Sequence, residues 1–266
     1  MALDLPQPRF APATPETLTL SDTRTPALLI QPDAPGPHPG AVIQHGWASR
    51  KTDMLPFALV LATFGVACIL PDAWGHGEHP AASAVAGTSS VDTFVEVIRE
   101  TTRGIREALH VLAVRPDIRP DMLLVGGFSM GGIAALIAGA EDERVAGIVS
   151  LAGASLSDMM GVPPFGVGRP GPEAQRWAEA HDVRSHASLL APRPLLLSHG
   201  RRDDMVPVEG STRLYEAARP YYGEHSGRLA LKLYDHTHTV TQEQVTDALA
   251  FIWQFIFPRG RHAAAR

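Results

Sequence analysis

The sequence predicts an α/β protein in which about eight strands form one mostly parallel sheet with helices on both faces. Short apolar runs alternate with longer segments whose apolar residues recur at helical spacing. Hydrophobic residues make up 45% and charged residues 19% of the 266, which suits strands that are buried on both sides. A glycine-rich stretch around Ser129 adds an abrupt change from strand to helix. We expect a single domain over residues 1–266.

The charge and the composition exclude several classes of partner. The net charge is −5 and the basic residues are scattered, so we expect no nucleic-acid partner. The N-terminus lacks an apolar targeting segment, and no run reaches the roughly 18 apolar residues of a membrane span, which predicts a cytoplasmic protein with no membrane partner. The single cysteine, Cys68, lies in an apolar run, so we expect a buried thiol and no internal disulfide.

The N-terminal half begins with an irregular leader over residues 1–16, followed by a predicted hairpin at the sheet edge. Proline and glycine dominate residues 32–40, which are expected to be a loop and neither helix nor central strand. The elements predicted in this half are the strands 17–20, 27–30, 41–44 and 66–70 and the helices 54–63 and 91–114.

The C-terminal half continues the alternation of strands and helices but contains one irregular segment. Residues 154–191 are rich in methionine, proline, glycine and aromatic side chains, and we interpret them as a small lid over a site. The elements predicted in this half are a buried strand that ends at Ser129 with a helix after it, the strands 145–151, 194–198 and 229–234, and a last helix at 245–257.

The pattern Gly127-x-Ser129-x-Gly131 between that strand and helix indicates a nucleophile elbow. The turn is so tight that side chains two residues before and after the serine would collide, and glycine removes the collision. The turn exposes the hydroxyl at the carboxyl end of the sheet, while the following helix directs its first N–H groups at the same place. Ser129 is therefore the candidate nucleophile.

A serine hydroxyl needs a base, and a carboxylate usually orients that base. Two adjacent acids, Asp203 and Asp204, follow the strand 194–198, and two histidines, His236 and His238, follow the strand 229–234. Parallel strands bring their carboxyl ends to one edge of a sheet, so all four residues are candidates to approach Ser129.

These motifs resemble those of the α/β-hydrolase family, in particular serine esterases related to dienelactone hydrolases and prolyl-oligopeptidase-like enzymes. The family phrase Gly-x-x-Asp-x-x-Val-Pro matches residues 200–207, which favours Asp203 as the acid. The histidine of the family is often followed by x-Val-Thr, which favours His238. Thr237 stands where relatives often have glycine, and this keeps His236 as the alternative.

The resemblance also implies an oxyanion hole formed by the backbone N–H groups of Trp47 and Met130. His45 and Lys51, with Asp72 and His76, look like motifs of a bacterial esterase subgroup, and we expect His45, Asp72 and His76 to brace loops. The spacing of the histidines lacks the carboxylates of a catalytic zinc site, so no metal is expected. Candidates either to line an acyl pocket or to pack in the core are Trp47, Trp74, Phe165 and Trp177.

Together these features predict a serine carboxylesterase without a cofactor, which acts on small to medium acyl esters as a monomer or homodimer. A peptidase or a thioesterase of the same fold is the alternative within the enzymes. A non-catalytic binding protein that retains the hydrolase fold is the alternative outside them. Dienelactone hydrolysis itself is disfavoured, because those enzymes typically carry cysteine where this chain has Ser129.

Overall fold

The computed structural model describes residues 7–87, 90–163 and 167–257. Phe165, residues 1–6 of the predicted leader and residues from 258 onward lie outside these ranges. In the described part of the chain the strands are β1 (Glu16–Thr19), β2 (Pro26–Ile30), β3 (His38–Gln44), β4 (Ala67–Pro71), β5 (Ile118–Phe128), β6 (Val145–Leu151), β7 (Leu195–Gly200) and β8 (Leu229–Tyr234). The helices are α1 (Leu55–Thr63), α2 (Ala82–Val85), α3 (Val91–Ala113), α4 (Met130–Glu141), α5 (Leu156–Met159), α6 (Pro172–His181), α7 (Val208–Tyr222) and α8 (Gln242–Phe251).

All eight of these strands lie in one sheet, in the order β1-β2-β4-β3-β5-β6-β7-β8. The first two pair antiparallel, as the predicted hairpin requires, and β2 pairs antiparallel with β4. From β4 to β8 every pairing is parallel. The predicted mostly parallel sheet is confirmed, and its parallel strands place their carboxyl ends along one edge.

Helices cover both faces of the sheet, and the apolar core forms two clusters, one under each set of helices. One cluster lies under α3, α4 and α7 and contains Phe94, Ile105 and Leu136. The other lies under α1 and α8 and contains Leu61 and the fully buried Cys68. Burial raises the pKa of the Cys68 thiol, which keeps it a neutral apolar side chain. Within the described residues, no helix is both long and apolar enough to cross a membrane.

Strand β3, helix α7 and the last helix differ from the sequence prediction. Strand β3 begins at His38, so the central strand takes in Pro39 and Gly40, which were expected to be loop. The pairing with β5 shifts register between His38 and Gly40, and such an irregularity accommodates a proline that has no N–H to donate. Helix α7, which follows Asp203, was not predicted. The last helix also ends earlier than expected, at Phe251, and continues as a π-helical turn over Ile252–Ile256.

The segment 154–191 contains α5 and α6, with a 3-10 turn at Ala187–Leu189. Helix α6 packs against α3 and contacts the end of α4. Its N-cap Gly171 donates its N–H to Asp92 at 2.7 Å, and His181 at its end contacts Glu141. Residues Leu156 and Met159 are buried next to the end of β6. A lid role for this segment stays a prediction.

Candidate active site

Ser129 occupies the turn between β5 and α4 in a backbone conformation that few side chains adopt. Its φ is 56° and its ψ is −122°, an unusual region for a residue other than glycine. The turn is held by a hydrogen bond from the Ser129 N–H to the carbonyl of Leu151, at 2.8 Å, and by one from Ile133 N–H to the Ser129 carbonyl. These bonds on either side fix the residue in its strained geometry.

The glycines around Ser129 are required by close approaches of the backbone. A Cβ on Gly131 would collide with the carbonyl oxygens of Gln44, the last residue of β3, and of His45 in the loop that follows. A Cβ on Gly127 would collide with the Gly131 carbonyl. These obstacles are backbone atoms, which cannot move aside as a flexible side chain can. The Gly-x-Ser-x-Gly pattern therefore follows from the contact between the turn and the neighbouring strand.

The structure brings Ser129, His238 and Asp203 into one hydrogen-bonded row at the carboxyl edge of the sheet. Nε2 of His238 lies 2.9 Å from Ser129 Oγ, and Nδ1 lies 2.7 Å from Asp203 Oδ2. A carboxylate accepts, so Nδ1–H donates to Asp203 and the neutral ring accepts the serine hydroxyl at Nε2. The His238 ring packs on Phe128, with 4.8 Å between the ring centres. This arrangement suits proton transfer from the hydroxyl to the imidazole.

Asp203 lies in the loop after β7, where its carboxylate is fully buried. Its Oδ1 accepts the backbone N–H groups of Met205 and Val206, at 2.9 and 2.8 Å. Burial acts to raise the pKa of Asp203, but hydrogen bonds from His199, His238 and these amides outweigh it and hold the pKa well below its ordinary value. The carboxylate is therefore ionised at neutral pH and can support a positive charge on His238.

The two alternative residues lie elsewhere. His236 stacks on Tyr234, with 5.9 Å between ring centres, and its Nδ1 contacts the Thr237 carbonyl at 2.7 Å. Asp204 is exposed. The geometry thus groups His238, and not His236, with Ser129, and it groups Asp203, and not Asp204, with His238.

The loop His45-Gly46-Trp47 runs directly beside Ser129. A Cβ on Gly46 would lie 3.3 Å from the Ser129 Cβ, so the backbone of this loop approaches the serine closely. The fully buried His45 ring donates from Nδ1 to the Gly46 carbonyl and accepts the Ala73 N–H at Nε2, both at 2.8 Å. Burial lowers the pKa of His45 to about 4, so the ring is neutral and braces the loop.

Lys51 and Asp72 form a second brace for this loop. The Asp72 carboxylate accepts the Lys51 backbone N–H at 2.8 Å and the Lys51 ammonium at 2.7 Å. The ammonium also contacts Glu78 at 2.6 Å. Burial acts to lower the pKa of Lys51, but the hydrogen bonds to the two carboxylates outweigh it and raise the pKa. The loop after β3 is thereby tied to the loop after β4.

A cavity of about 580 Å³ lies between these two loops, with Trp47 and His76 in its wall. The Trp47 ring packs edge-on against His76, with 4.8 Å between ring centres. Trp74 and Trp177 do not line this cavity. Trp74 packs against the core, and Trp177 on α6 stacks on His181 at 4.5 Å.

His76 and His79 make local contacts with the backbone. Nδ1 of His76 contacts the Trp74 carbonyl at 3.0 Å, and Nδ1 of His79 accepts the Ala81 N–H at 3.1 Å. In the ranges that the structure describes, no three histidine, cysteine, aspartate or glutamate side chains are grouped as metal ligands.

One residue at this site was missed by the sequence analysis. His199, at the end of β7, is fully buried, and its Nε2 lies 3.2 Å from Asp203 Oδ2. The residue stands in an apolar strand, and its position four residues before the aspartate is the signal that could have found it.

The sheet order, the strand-to-helix turn at Ser129 and the row of Ser129, His238 and Asp203 define a protein of the α/β-hydrolase class. Comparison with solved structures agrees. The structure of TT1662 from Thermus thermophilus superposes with a TM-score of 0.74 and 25% identity, covering 93% of this chain and 100% of that one. A puromycin-hydrolysing peptidase of Mycobacterium tuberculosis has a TM-score of 0.72 and 20% identity, over 93% of this chain and 40% of that chain. At 20% identity, the similarity to the peptidase supports a shared fold and no shared activity.

The chain belongs to the dienelactone hydrolase family, whose model matches residues 25–250. Among its relatives is Esterase YjfP of Escherichia coli (strain K12), which is 28% identical over 193 residues, 68% of this chain and 75% of that protein. The resemblance drawn from the motifs is confirmed, and the family supports the protein as a hydrolase.

Proposed function

We propose that this protein is a serine carboxylesterase that hydrolyses small to medium acyl esters through an acyl-enzyme at Ser129. The single observation that carries the proposal is the row in which His238 lies 2.9 Å from Ser129 Oγ and 2.7 Å from Asp203. Membership of a hydrolase family with an esterase among the relatives supports the same reaction class.

In the first half-reaction the Ser129 oxygen attacks the ester carbonyl while Nε2 of His238 takes the hydroxyl proton. The pair of electrons from the carbonyl bond moves to its oxygen, which becomes an oxyanion. When the tetrahedral intermediate collapses, the ester C–O bond breaks and the leaving alkoxide takes the proton from His238. Asp203 holds the ring through Nδ1–H and stabilises its positive charge.

In the second half-reaction water replaces the alcohol. His238 removes a proton from the water as the resulting hydroxide adds to the acyl carbon, and it returns that proton to Ser129 as the acid leaves. These side chains and water balance the atoms and the charge of both half-reactions.

We assign the oxyanion hole to the backbone N–H groups of Met130 and Trp47. Met130 is the first residue of α4, where an N–H has no intrahelical acceptor and the helix end is partly positive. Trp47 follows Gly46, whose backbone approaches Ser129. Each such donor is worth roughly 3 to 4 kcal/mol to the transition state.

The peptidase and thioesterase alternatives share this machinery, so substrates must separate them. We propose esters because the curated relative is an esterase. We further propose a cytoplasmic protein acting on a small-molecule ester as a monomer or homodimer, with residues 154–191 as the lid of its single domain. If the protein does not hydrolyse activated esters, the alternative of a non-catalytic binding protein is favoured.

Labelling with a fluorophosphonate tests the nucleophile. The wild-type chain should be labelled once, Ser129→Ala should not be labelled, and Ser155→Ala, which removes another buried serine, should be labelled as the wild type is. Labelling that persists in Ser129→Ala contradicts the assignment. Rates on nitrophenyl esters, acyl thioesters and aminoacyl anilides, with Ser129→Ala as the blank, then test the ester preference.

A further inference from the structure

His199 makes contacts that tie it to the proposed catalytic acid. The residue lies near the end of β7 (Leu195–Gly200) and is fully buried. Its Nε2 lies 3.2 Å from Asp203 Oδ2 and 3.0 Å from the Val206 carbonyl oxygen. Both neighbours are acceptors, so Nε2 carries a hydrogen. The N–H donates to the Val206 carbonyl and lies close enough to Asp203 Oδ2 to stabilise the carboxylate as well.

The other side of the His199 ring is anchored to two further elements. Nδ1 lies 2.7 Å from Oγ of Ser211 on α7, and the same Oγ lies 2.7 Å from the Gly153 carbonyl oxygen beyond the end of β6. The ring is thus held between α7, the strand ends and the Asp203 loop. Because it is bonded at both nitrogens, rotation of the imidazole would break contacts at both ends.

The Asp203 carboxylate has bonds on both of its oxygens. Oδ1 accepts two backbone N–H groups, while Oδ2 faces His238 at 2.7 Å and His199 at 3.2 Å. Removing His199 would leave one side of a buried carboxylate oxygen without its donor, and a buried charged acceptor without a donor is costly. The carboxylate would then lose a contact that fixes its rotation, and His238 would be the remaining side chain on Oδ2 in the contacts described.

We propose that His199 is a positioning residue that fixes the Asp203 carboxylate in the orientation His238 requires. The inference rests on the proposed function of this site. His199 acts through Asp203 and touches neither Ser129 nor the ring of His238 in the contacts described. Its Nε2–H also faces the oxygen that accepts from His238, so it draws part of the charge of Oδ2 away from the imidazole.

The charged groups that face Asp203 come from two elements. In the described ranges its ion-pair partners are His199 from β7 and His238 from the loop after β8. His236 lies near the same loop, with its ring beside Gly200. A change in pH profile on altering His199 therefore reports on the pair of Asp203 and His238.

The test compares His199→Met, which removes the donor, with His199→Gln, whose amide N–H can reach the place of Nε2–H. For nitrophenyl ester hydrolysis we expect His199→Met to lower kcat about tenfold or more with KM within about twofold, as for a lost charged hydrogen bond. In the plot of kcat against pH, the acid limb of His199→Met should move to higher pH by about half a unit. His199→Gln should recover most of kcat and the wild-type limb.

Ser211→Ala gives a second variant in case His199→Met does not fold. It removes the anchor at Nδ1 together with the bond from the same hydroxyl to the Gly153 carbonyl. We expect a kcat about threefold lower at unchanged KM. Thr212→Ala is the matched control, because the neighbouring hydroxyl bonds to Val208 within α7 and is exposed. Equal kcat in Ser211→Ala and Thr212→Ala would contradict the role of the anchor.

A measurement without turnover separates this inference from the proposed function. The proton between His238 and Asp203 should give a low-field NMR line that moves further downfield in His199→Met and stays in place in His199→Gln. Equal losses of kcat in His199→Met and His199→Gln would overturn the inference. It would also be overturned if His199→Met changed neither the acid limb of the pH profile nor the position of the low-field NMR line. Absence of hydrolysis by the wild type would instead count against the esterase proposal.

Discussion

Asp72 holds Lys51 at both ends, by its backbone N–H at 2.8 Å and by its ammonium at 2.7 Å. Both side chains are buried, whereas Glu78, the second carboxylate on the same ammonium, is 74% exposed. The two ion pairs have nearly the same length but very different surroundings. A buried pair that loses one partner leaves an uncompensated charge, while an exposed pair is largely screened by water.

Lys51→Met should therefore lower the free energy of unfolding by about 3 kcal/mol, because Asp72 keeps its charge in a buried place. Glu78→Gln is the matched control and should change it by less than about 1 kcal/mol. Urea unfolding measures both. The double variant Lys51→Met with Asp72→Asn should lose less than the sum of the single variants. Equal effects of Lys51→Met and Glu78→Gln would show that burial does not set the strength of this contact.

Gly131→Ala should destabilise the protein by roughly 2 kcal/mol or more and reduce esterase activity. The added methyl group meets the carbonyl oxygens of Gln44 and His45, and relieving that contact moves the turn away from the loop that carries Trp47. Gly227→Ala serves as the control, since a Cβ there has no heavy atom within 4 Å. Thermal unfolding and kcat/KM should be affected only in the first variant, and a fully active, stable Gly131→Ala protein would refute the steric argument.

His45 should make stability depend on pH in the weakly acidic range. Burial lowers its pKa from 6.5 to about 4 in the folded chain, so the unfolded chain binds a proton between these values and the folded chain does not. The contribution of neutral His45 to the free energy of unfolding is complete above about pH 6.5. It is lost as the pH falls toward 4, and the free energy of unfolding decreases by about 3 kcal/mol in all.

The free energy of unfolding, measured in urea at several pH values, should thus fall more steeply in the wild type than in His45→Asn. His76 and His79, whose pKa values burial also lowers, remain in both proteins and their contributions cancel in the comparison. Parallel pH curves for the two proteins would mean that His45 is not the group responsible.

The sequence predicted the parts of the site that depend on local spacing. Ser129 could be identified from the sequence because the close approach of β3 to the turn requires glycines two residues before and after it. Lys51 and Asp72 were noticed only as motif residues, since their contact joins loops 21 positions apart. The role of His199 depends on the direction in which its side chain points from a buried strand. A single histidine in an apolar run does not show that direction.

The same limit applies to the fold. Alternating apolar runs predicted a mostly parallel sheet of about eight strands, and the structure confirms it. Pro39 in the central strand could not be predicted, because the irregular register that accommodates it is a property of the pair β3 and β5. Helix α7 was not predicted, and it contains Pro220, a residue type that disfavours the interior of a helix.

The two histidines after β8 give the sharpest test of the proposed base, because they are two positions apart and differ in their surroundings. His238→Ala should lower kcat on nitrophenyl esters by about a thousandfold or more, since it removes the group that takes the proton of Ser129. His236→Ala should leave kcat within about threefold, because that ring contacts Tyr234 and the Thr237 carbonyl and makes no bond to Ser129. Fluorophosphonate labelling should slow in parallel with kcat in the first variant alone. A larger loss in His236→Ala than in His238→Ala would transfer the role of base to His236 and would require the loop after Tyr234 to rearrange during catalysis.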